Sequence, residues 1–316
     1  MKKNKKTISI GIPCFNEEQN VAQAYKAIRA IAKKNDYRYE LIFVDNGSTD
    51  STREEIKKLC KKDKDVIGVF LSRNFGPEAS LQAASEHASG DAFILLFCDL
   101  QEPPELIPQF ISGWEQGHDI VVGVYKKTQE QLLMRIARSM FYKFFKRMSN
   151  IEVPVNASGV GLIDRRALDA INRLPEKYRF FRGLRAWVGF NTAYVSYNRR
   201  PRLRGKSSYG FFSYIKHAER SFFGFSYLPL DIMIYFGFLL VFLSFLFILI
   251  YLLAVIIYRN PFRESIAVIV SIAFFGGIQL MAISTIGKYI QVIVEETKAR
   301  PVYIVEDILN KKNRKY

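Results

Sequence analysis

The chain has 316 residues, with 46 lysines and arginines against 30 aspartates and glutamates, and a formal net charge of +16. A balance this basic suits nucleic acid or an anionic membrane surface; here much of the charge gathers beside apolar runs, which sets nucleic-acid binding aside. The cysteines number three, Cys14, Cys60 and Cys98, at spacings that fit no metal motif, so each is expected to be buried in a reducing cytosol that needs no disulfide.

Lys2, Lys3, Lys5 and Lys6 open the chain with no apolar stretch of signal-peptide length behind them, so no secretion signal is expected. Residues 7–12 read as a buried strand ended by Pro13. Residues 17–34 carry helical periodicity, with Val21, Ala24, Ile28 and Ile31 on one face. A second strand follows over 39–44. Ser51 or Thr52 can cap the next helix, which runs to about Lys61. The third strand is 66–71, and a helix over 76–89 is stopped by Gly90. The fourth strand is 92–97, and 103–116 is a helix with proline near its first turn. A fifth strand covers 119–123. Strands alternating with helices at this spacing predict an α/β fold with an open, mostly parallel sheet covered on both faces. Ligands then gather at the C-terminal ends of the strands, in the loops 13–18, 45–50 and 99–104.

Past Val124 the pattern changes. Residues 129–148 form a basic, aromatic helix that packs on the sheet or touches lipid headgroups. A second such segment, 209–231, is amphipathic and juxtamembrane, and it leads into two uncharged runs, 232–258 and 265–287. As helices these span roughly 40 Å and 35 Å, enough to cross a hydrocarbon core of about 30 Å. Arg199, Arg200, Arg202, Arg204, Lys206, Lys216 and Arg220 precede the hairpin, and Lys311, Lys312, Arg314 and Lys315 follow it. This bias places the domain 1–208, the tail 288–316 and both termini on the cytoplasmic side.

Two loops carry chemistry. Asp45 ends a strand and opens Asp-Asn-Gly-Ser-Thr-Asp; its carboxylate can accept from a base or ribose, or close an Asx turn that serves no ligand. Asp50 caps the following helix. Asp99 and Gln101 alternate in an extended segment and could reach one hard cation, Mg²⁺ or Mn²⁺, which would stabilise a nucleotide diphosphate as leaving group. Two protein ligands make a weak site, so phosphates and waters supply the rest. Glu102, before Pro103, reads as a helix cap, and His87, His118 and His217 as structural or surface residues.

The stretches FVDNGSTDST, LSRNFGPEASL, CDLQEPPELIP, RFFRGLRAWVGF, RPRLRGKSSY and ARPVYIVED, with the two-span tail, resemble the bacterial polyprenyl-phosphate glycosyltransferases, relatives of dolichyl-phosphate mannose synthases, over nearly the whole chain. The resemblance implies a GT-A-type domain and a cell-envelope enzyme of the bacterial inner membrane. Its substrates would be a nucleoside-diphosphate sugar, UDP-linked, and undecaprenyl phosphate, and its product a lipid-linked monosaccharide. Pro13, Asn16 and Glu17 would shape the nucleotide pocket and Asp45 would face the base. Asp99 and Gln101 would hold the metal, while Arg202 and Ser207 close over the phosphates. Arg204, Lys206 and Arg138 are the further basic residues for the acceptor. The family includes tetramers, so a homo-tetramer is among the assemblies implied.

Four positions depart from the family pattern. Phe97 stands at the first position of Asp-x-Asp, and Asn46 at the second of Asp-Asp-Gly-Ser. Ser158-Gly159-Val160-Gly161 replaces Gly-Asp-Phe-Arg, whose aspartate is often proposed as catalytic, and Ser208 replaces a lysine. Loss of that aspartate need not disable transfer, because a phosphate monoester has a second pKa of about 6 and is already ionised near neutrality. Attack then needs alignment and charge neutralisation, and a single displacement inverts the anomeric centre. Two rivals keep the fold: a catalytically degenerate membrane scaffold or nucleotide sensor, and a processive polysaccharide synthase, for which two spans make a poor channel.

Overall fold

The computed structural model describes residues 5–126, 156–177, 179–201, 228–258 and 265–311. The chain divides into two units, Met1–Tyr214 with Arg300–Tyr316, and Ile215–Ala299. The first unit is built on one eight-stranded sheet. Its strands are β1 (Thr7–Cys14), β2 (Arg38–Asp45), β3 (Val66–Leu71), β4 (Ala92–Leu95), β5 (Ile120–Tyr125), β6 (Ala157–Asp164), β7 (Thr192–Tyr197) and β8 (Val305–Leu309), in the order β7-β5-β6-β4-β1-β2-β3-β8. The helices are α1 (Glu18–Ala32), α2 (Thr52–Lys62), α3 (Pro77–Glu86), α4 (Leu106–Glu115), α5 (Arg165–Arg173) and α6 (Phe181–Trp187).

The expected mostly parallel α/β sheet is present: only β6, against β4 and β5, and β8, against β3, run opposite to the rest. Near-continuous Ile, Val, Leu and Phe in β1 to β4 are buried on both faces, as a sheet covered on each side requires. One face packs Ile8, Ile10, Ile12 and Phe43 with Val21, Ile28, Ile56 and Phe110 of the helices. After β3 the chain returns to the far side of β1, where β4 pairs with it. The strand order therefore reverses between β1 and β4, and a crevice opens at their C-terminal ends.

Several boundaries differ from the sequence reading. β1 continues through Pro13, which pairs with Val44 of β2. Gly11 O accepts from Leu96 N and Cys14 O from Asn46 N, so Pro13, like Gly11, faces β4. Pairing with β4 ends at Gly11, and the proline's missing donor interrupts no ladder there. α3 stops at Glu86, well before Gly90. Gly90 serves a close approach instead: a Cβ there would lie 2.6 Å from Thr7 O. Ser51 is the N-cap residue of α2 but makes no side-chain cap; Asp50 Oδ1 takes Thr52 N at 3.0 Å, as expected of Asp50. Residues assigned by sequence to a C-terminal tail return to the sheet as β8, and Asn310, just after it, donates to Cys60 O at 2.6 Å and Val66 O at 2.9 Å. The sequence reading set out no strands for β6, β7 or β8 and no helix for α5 or α6.

The second unit contains α7 (Leu228–Tyr258) and α8 (Ser265–Thr297), of 31 and 33 residues. Both expose large apolar side chains, among them Phe238, Phe245 and Ile256 on α7 and Ile272, Leu280 and Ile283 on α8. Exposed apolar surface of this extent marks a face that meets another apolar surface. Among the described residues one stretch, Phe274–Thr297, qualifies by length and composition to cross a membrane. α8 thus runs past the expected end at Gly287. The helix expected over 129–148, most of the segment 209–231, and Arg138, Arg202, Arg204, Lys206 and Ser207 lie outside the described residues.

Candidate active site

The crevice is built by the loops that leave β1, β2, β3 and β4, with the start of β6 and the end of β7 beside them. The first two loops are stitched together. Asn16 takes a left-handed backbone (φ 55°), which an asparagine tolerates, and its Oδ1 accepts from Thr49 N at 2.8 Å. Asn16 N donates to Ser48 Oγ, Glu17 N to Thr52 Oγ1 at 2.8 Å, and Glu18 N to Asp50 Oδ2. Asn16 remains exposed at the rim, while Pro13 and Glu17 are half-buried below it.

Asp45 is fully buried and already engaged. Its Oδ1 accepts from Ser48 N at 3.0 Å and its Oδ2 from Arg53 Nε at 3.0 Å. Arg53 also meets Glu306 of β8 at 2.8 Å and Leu71 O at 3.2 Å. Arg53 and Glu306 escaped the sequence reading, although a signal existed. A cation in the first turn of a helix opposes the helix dipole, so Arg53 there calls for an acidic partner. Asn46, at the family's second aspartate, is buried and binds the third-strand loop: its Nδ2 donates to Gly76 O at 2.9 Å and its Oδ1 accepts from Phe75 N at 3.0 Å. Asn74 Oδ1 completes that loop by accepting from Gly76 N at 2.8 Å. Gly47 (φ +67°) cannot be replaced freely, because a Cβ would meet the Arg73 backbone.

The fourth loop brings Asp99 and Gln101 together around Leu100, whose φ is 55°. A bulky residue in the left-handed region costs on the order of 1–2 kcal/mol and marks a held geometry. Asp99 Oδ1 accepts from Gln101 N at 3.2 Å; its Oδ2 has no hydrogen-bond partner among the described residues. One free carboxylate oxygen and one amide oxygen suit a hard divalent cation. No group of three His, Cys, Asp or Glu that could hold a metal exists among the described residues. Asp99 and Gln101 alone would hold an ion only in part. Below the loop the buried Cys14 thiol neighbours Cys98, and burial together with that neighbour pushes its pKa well up.

Glu102 does not cap α4, which starts at Leu106. It is fully buried, with Oε1 at 3.1 Å from Arg199 Nε. The pair lies within ionic distance without a well-directed hydrogen bond. Burial pushes the Glu102 pKa up to about 7 against the pull of Arg199, and the Asp99 charge adds to the rise. Arg200 N donates to Gln101 O at 2.9 Å, and its guanidinium meets Glu105 at 3.3 Å. Arg199 and Arg200, counted by sequence with the membrane-facing cluster, therefore fasten the end of β7 to the Asp99 loop. A pH prediction follows. The folded state holds the Glu102 proton more tightly than the unfolded chain, so this contribution to stability is complete below the ordinary carboxyl range and is lost as pH rises through about 7. In metal-free protein, Glu102→Gln is expected to flatten the fall in melting temperature between pH 5.5 and 8.5; an unchanged fall would place its cause elsewhere.

Two departures from the family pattern touch each other. Continuing the β4–β6 register beyond Leu95↔Gly161 sets Phe97 opposite Gly159. A Cβ on Gly159 would lie 3.2 Å from Phe97 Cζ. The ring fills the space a side chain at 159 would need. A cavity of about 740 Å³ opens at the opposite end of the central strands, lined by Thr7, Glu40, Asp91 and Arg165; none of the expected site residues reaches it. Topology, not the depth of that pocket, locates the chemistry.

Residues 9–171 match the model of glycosyl transferase family 2. An uncharacterized glycosyltransferase of Synechocystis sp. is 35% identical over 95% of this chain and 95% of its own length. A bactoprenol glucosyl transferase of Shigella phage SfV is 35% identical over 95% of this chain and 98% of its own. Among solved structures, mannosyl-3-phosphoglycerate synthase from Rubrobacter xylanophilus is 16% identical with a TM-score of 0.46, over 68% of this chain and 71% of that one. With a family model covering the first five strands and β6, and relatives matching end to end, the chain belongs to glycosyl transferase family 2.

Proposed function

We propose that the protein transfers a sugar from a UDP-sugar to undecaprenyl phosphate at the cytoplasmic face of the bacterial inner membrane, giving a lipid-linked monosaccharide with inverted anomeric configuration. The observation that carries this is the Asp99–Gln101 loop at the strand-order reversal, in a chain aligned over 95% of its length with a bactoprenol glucosyl transferase. Glucose is accordingly the first sugar to test. α7 and α8 are read as a two-span hairpin, with the catalytic unit and both termini in the cytosol.

The nucleotide would sit over β1 and β2. Pro13, Asn16 and Glu17 shape its pocket. Asp45 is fully buried with both oxygens engaged, so a base N–H would reach it only where the Ser48 turn or Arg53 gives way. Asp99 and Gln101 would hold Mg²⁺ or Mn²⁺, which when bound neutralises charge developing on the departing diphosphate. The strained turn at Leu100 presets that pair. The acceptor phosphate arrives largely ionised, so the protein's task is to align it and offset its charge. Arg202, Arg204, Lys206 and Ser207, with Arg138, are the residues we assign to it, and charge-assisted bonds from an arginine suit a phosphate.

The test is purified protein in detergent with UDP-glucose, Mn²⁺ and a short polyprenyl phosphate, read by mass spectrometry for the glycosylated lipid. Absence of product and of UDP release across donors and metals would remove the reading. Arg202→Ala should raise the KM for polyprenyl phosphate about tenfold, the loss of roughly one charged hydrogen bond, and leave the Kd for UDP unchanged. Equal loss of both would misplace Arg202. A second reading is favoured by the Phe97–Gly159 contact: a degenerate transferase that binds nucleotide without turnover. It expects UDP binding with no product.

A further inference from the structure

Arg185 of α6 is 5% exposed, with its guanidinium against β6. Nη2 donates to Ser158 O at 3.0 Å and Nη1 to Gly159 O at 3.4 Å. A Cβ on Gly161 would lie 3.3 Å from Nη1, so the glycine makes room for the cation. The β5–β6 ladder shifts register in this stretch, between Val122 and Val124, and Arg185 serves carbonyls there. A neutral amide could do the same. The positive charge is the part that tethering leaves unexplained.

Among the described residues no carboxylate answers that charge. Arg29 has Asp63, Arg53 has Asp45 and Glu306, Arg199 has Glu102, and Glu86 and Glu176 favour the charge on Arg179. Arg185 has no acidic partner among the described residues, and among its neighbours Arg182 acts on it most strongly, by repulsion. Burial and then that repulsion lower its pKa to about 10, which still leaves it protonated at neutral pH. Keeping an unanswered cation out of water costs several kcal/mol. Gly159, whose carbonyl accepts from Nη1, stands against the Phe97 ring, so the guanidinium lies beside the segment that leads from β4 to the Asp99 loop.

We infer that Arg185 is a preformed receptor for a phosphate group of a ligand seated in this crevice, on the β6 side of the Asp99 loop. It rests on the crevice being the substrate site proposed above. The phosphate belongs to the nucleotide diphosphate or to the lipid monoester, and Nε–H, which has no acceptor among the described residues, remains available to it.

Arg185→Gln keeps amide donors for the carbonyls and removes the charge; Arg185→Lys restores charge. UDP binding with Mn²⁺, by calorimetry, and the KM for polyprenyl phosphate at saturating donor form the two arms. Arg185→Gln is expected to weaken one arm about tenfold or more, with Arg185→Lys recovering part of the loss. The affected arm identifies the phosphate. Wild-type values in both arms for Arg185→Gln, or a lysine variant no better than the glutamine one, overturns the inference. Should Arg185→Gln fail to fold, inorganic pyrophosphate titrated onto wild type and Arg185→Lys decides. A larger rise in melting temperature for wild type supports the receptor, and equal or absent rises remove it. The nucleotide and pyrophosphate measurements need no turnover, so an inactive wild type would sink the transferase reading and leave this one standing on its own result.

Discussion

Asp99→Ala is expected to lower the rate of sugar transfer by about 10³-fold, a loss of about 4 kcal/mol of transition-state stabilisation, while the protein melts no lower than wild type. Both halves follow from the loop. Asp99 Oδ2 has no hydrogen-bond partner among the described residues, and its partner in the site, Gln101, is neutral. Removing it leaves an amide alone to hold a divalent ion. Stability behaves differently. Asp99 is half-buried, its Oδ1 accepts only the Gln101 N–H, and its charge helps drive the Glu102 pKa upward. Taking that charge away relieves its repulsion of Glu102 and removes its attraction for Arg199, two effects of opposite sign. A carboxylate whose loss leaves the fold intact and stops the reaction is held there for function. Steady-state UDP release and a melting curve check the pair of effects. A residual rate above a tenth of wild type would remove Asp99 from the catalytic machinery.

The first half of the domain was legible because its signals are local. β3 lies at 66–71 as read, and the β1 to β4 strands and their helices were found to within a few residues, since runs of Ile and Val bounded by turn residues need no distant partner to be recognised. The loops after β1, β2 and β4 follow from that alternation. The misses share one cause, pairing across long separations. β8 is a short edge strand whose partner β3 lies over two hundred residues earlier, and its sequence, VEDIL, has too little apolar character to stand out. Glu102 read as a cap and Arg199 as part of the basic cluster before the hairpin, and Arg53 and Glu306 were not singled out, because an ion pair between distant elements leaves no periodicity. Gly159 and Phe97 were both visible as departures from the family pattern. That they are one feature required the β4–β6 register, which no spacing in the sequence encodes.

That contact sets the second large effect. Gly159→Asp restores the residue type of the family pattern but is expected to destabilise the protein by about 2–3 kcal/mol without raising activity. Its Cβ would stand 3.2 Å and 3.4 Å from two atoms of the Phe97 ring, and the carboxylate must extend further into the same space. Overpacking of this kind costs roughly 1–3 kcal/mol, and a charge pressed against an aromatic ring adds to it. Phe97→Ala vacates the space, so the double variant should lose less than the sum of the single ones, with a coupling of about 1–2 kcal/mol. Additive losses, or a Gly159→Asp protein as stable as wild type, would separate the two positions. The double variant then tests the chemistry. If an ionised acceptor attacks unaided, kcat stays within a few-fold of Phe97→Ala alone, and the pH–rate profile rises to a plateau near the acceptor's own second pKa of about 6. A tenfold gain in kcat from the added aspartate would mean that the acceptor needs a base after all, and that in this chain the contact between Phe97 and Gly159 holds the reaction rate down.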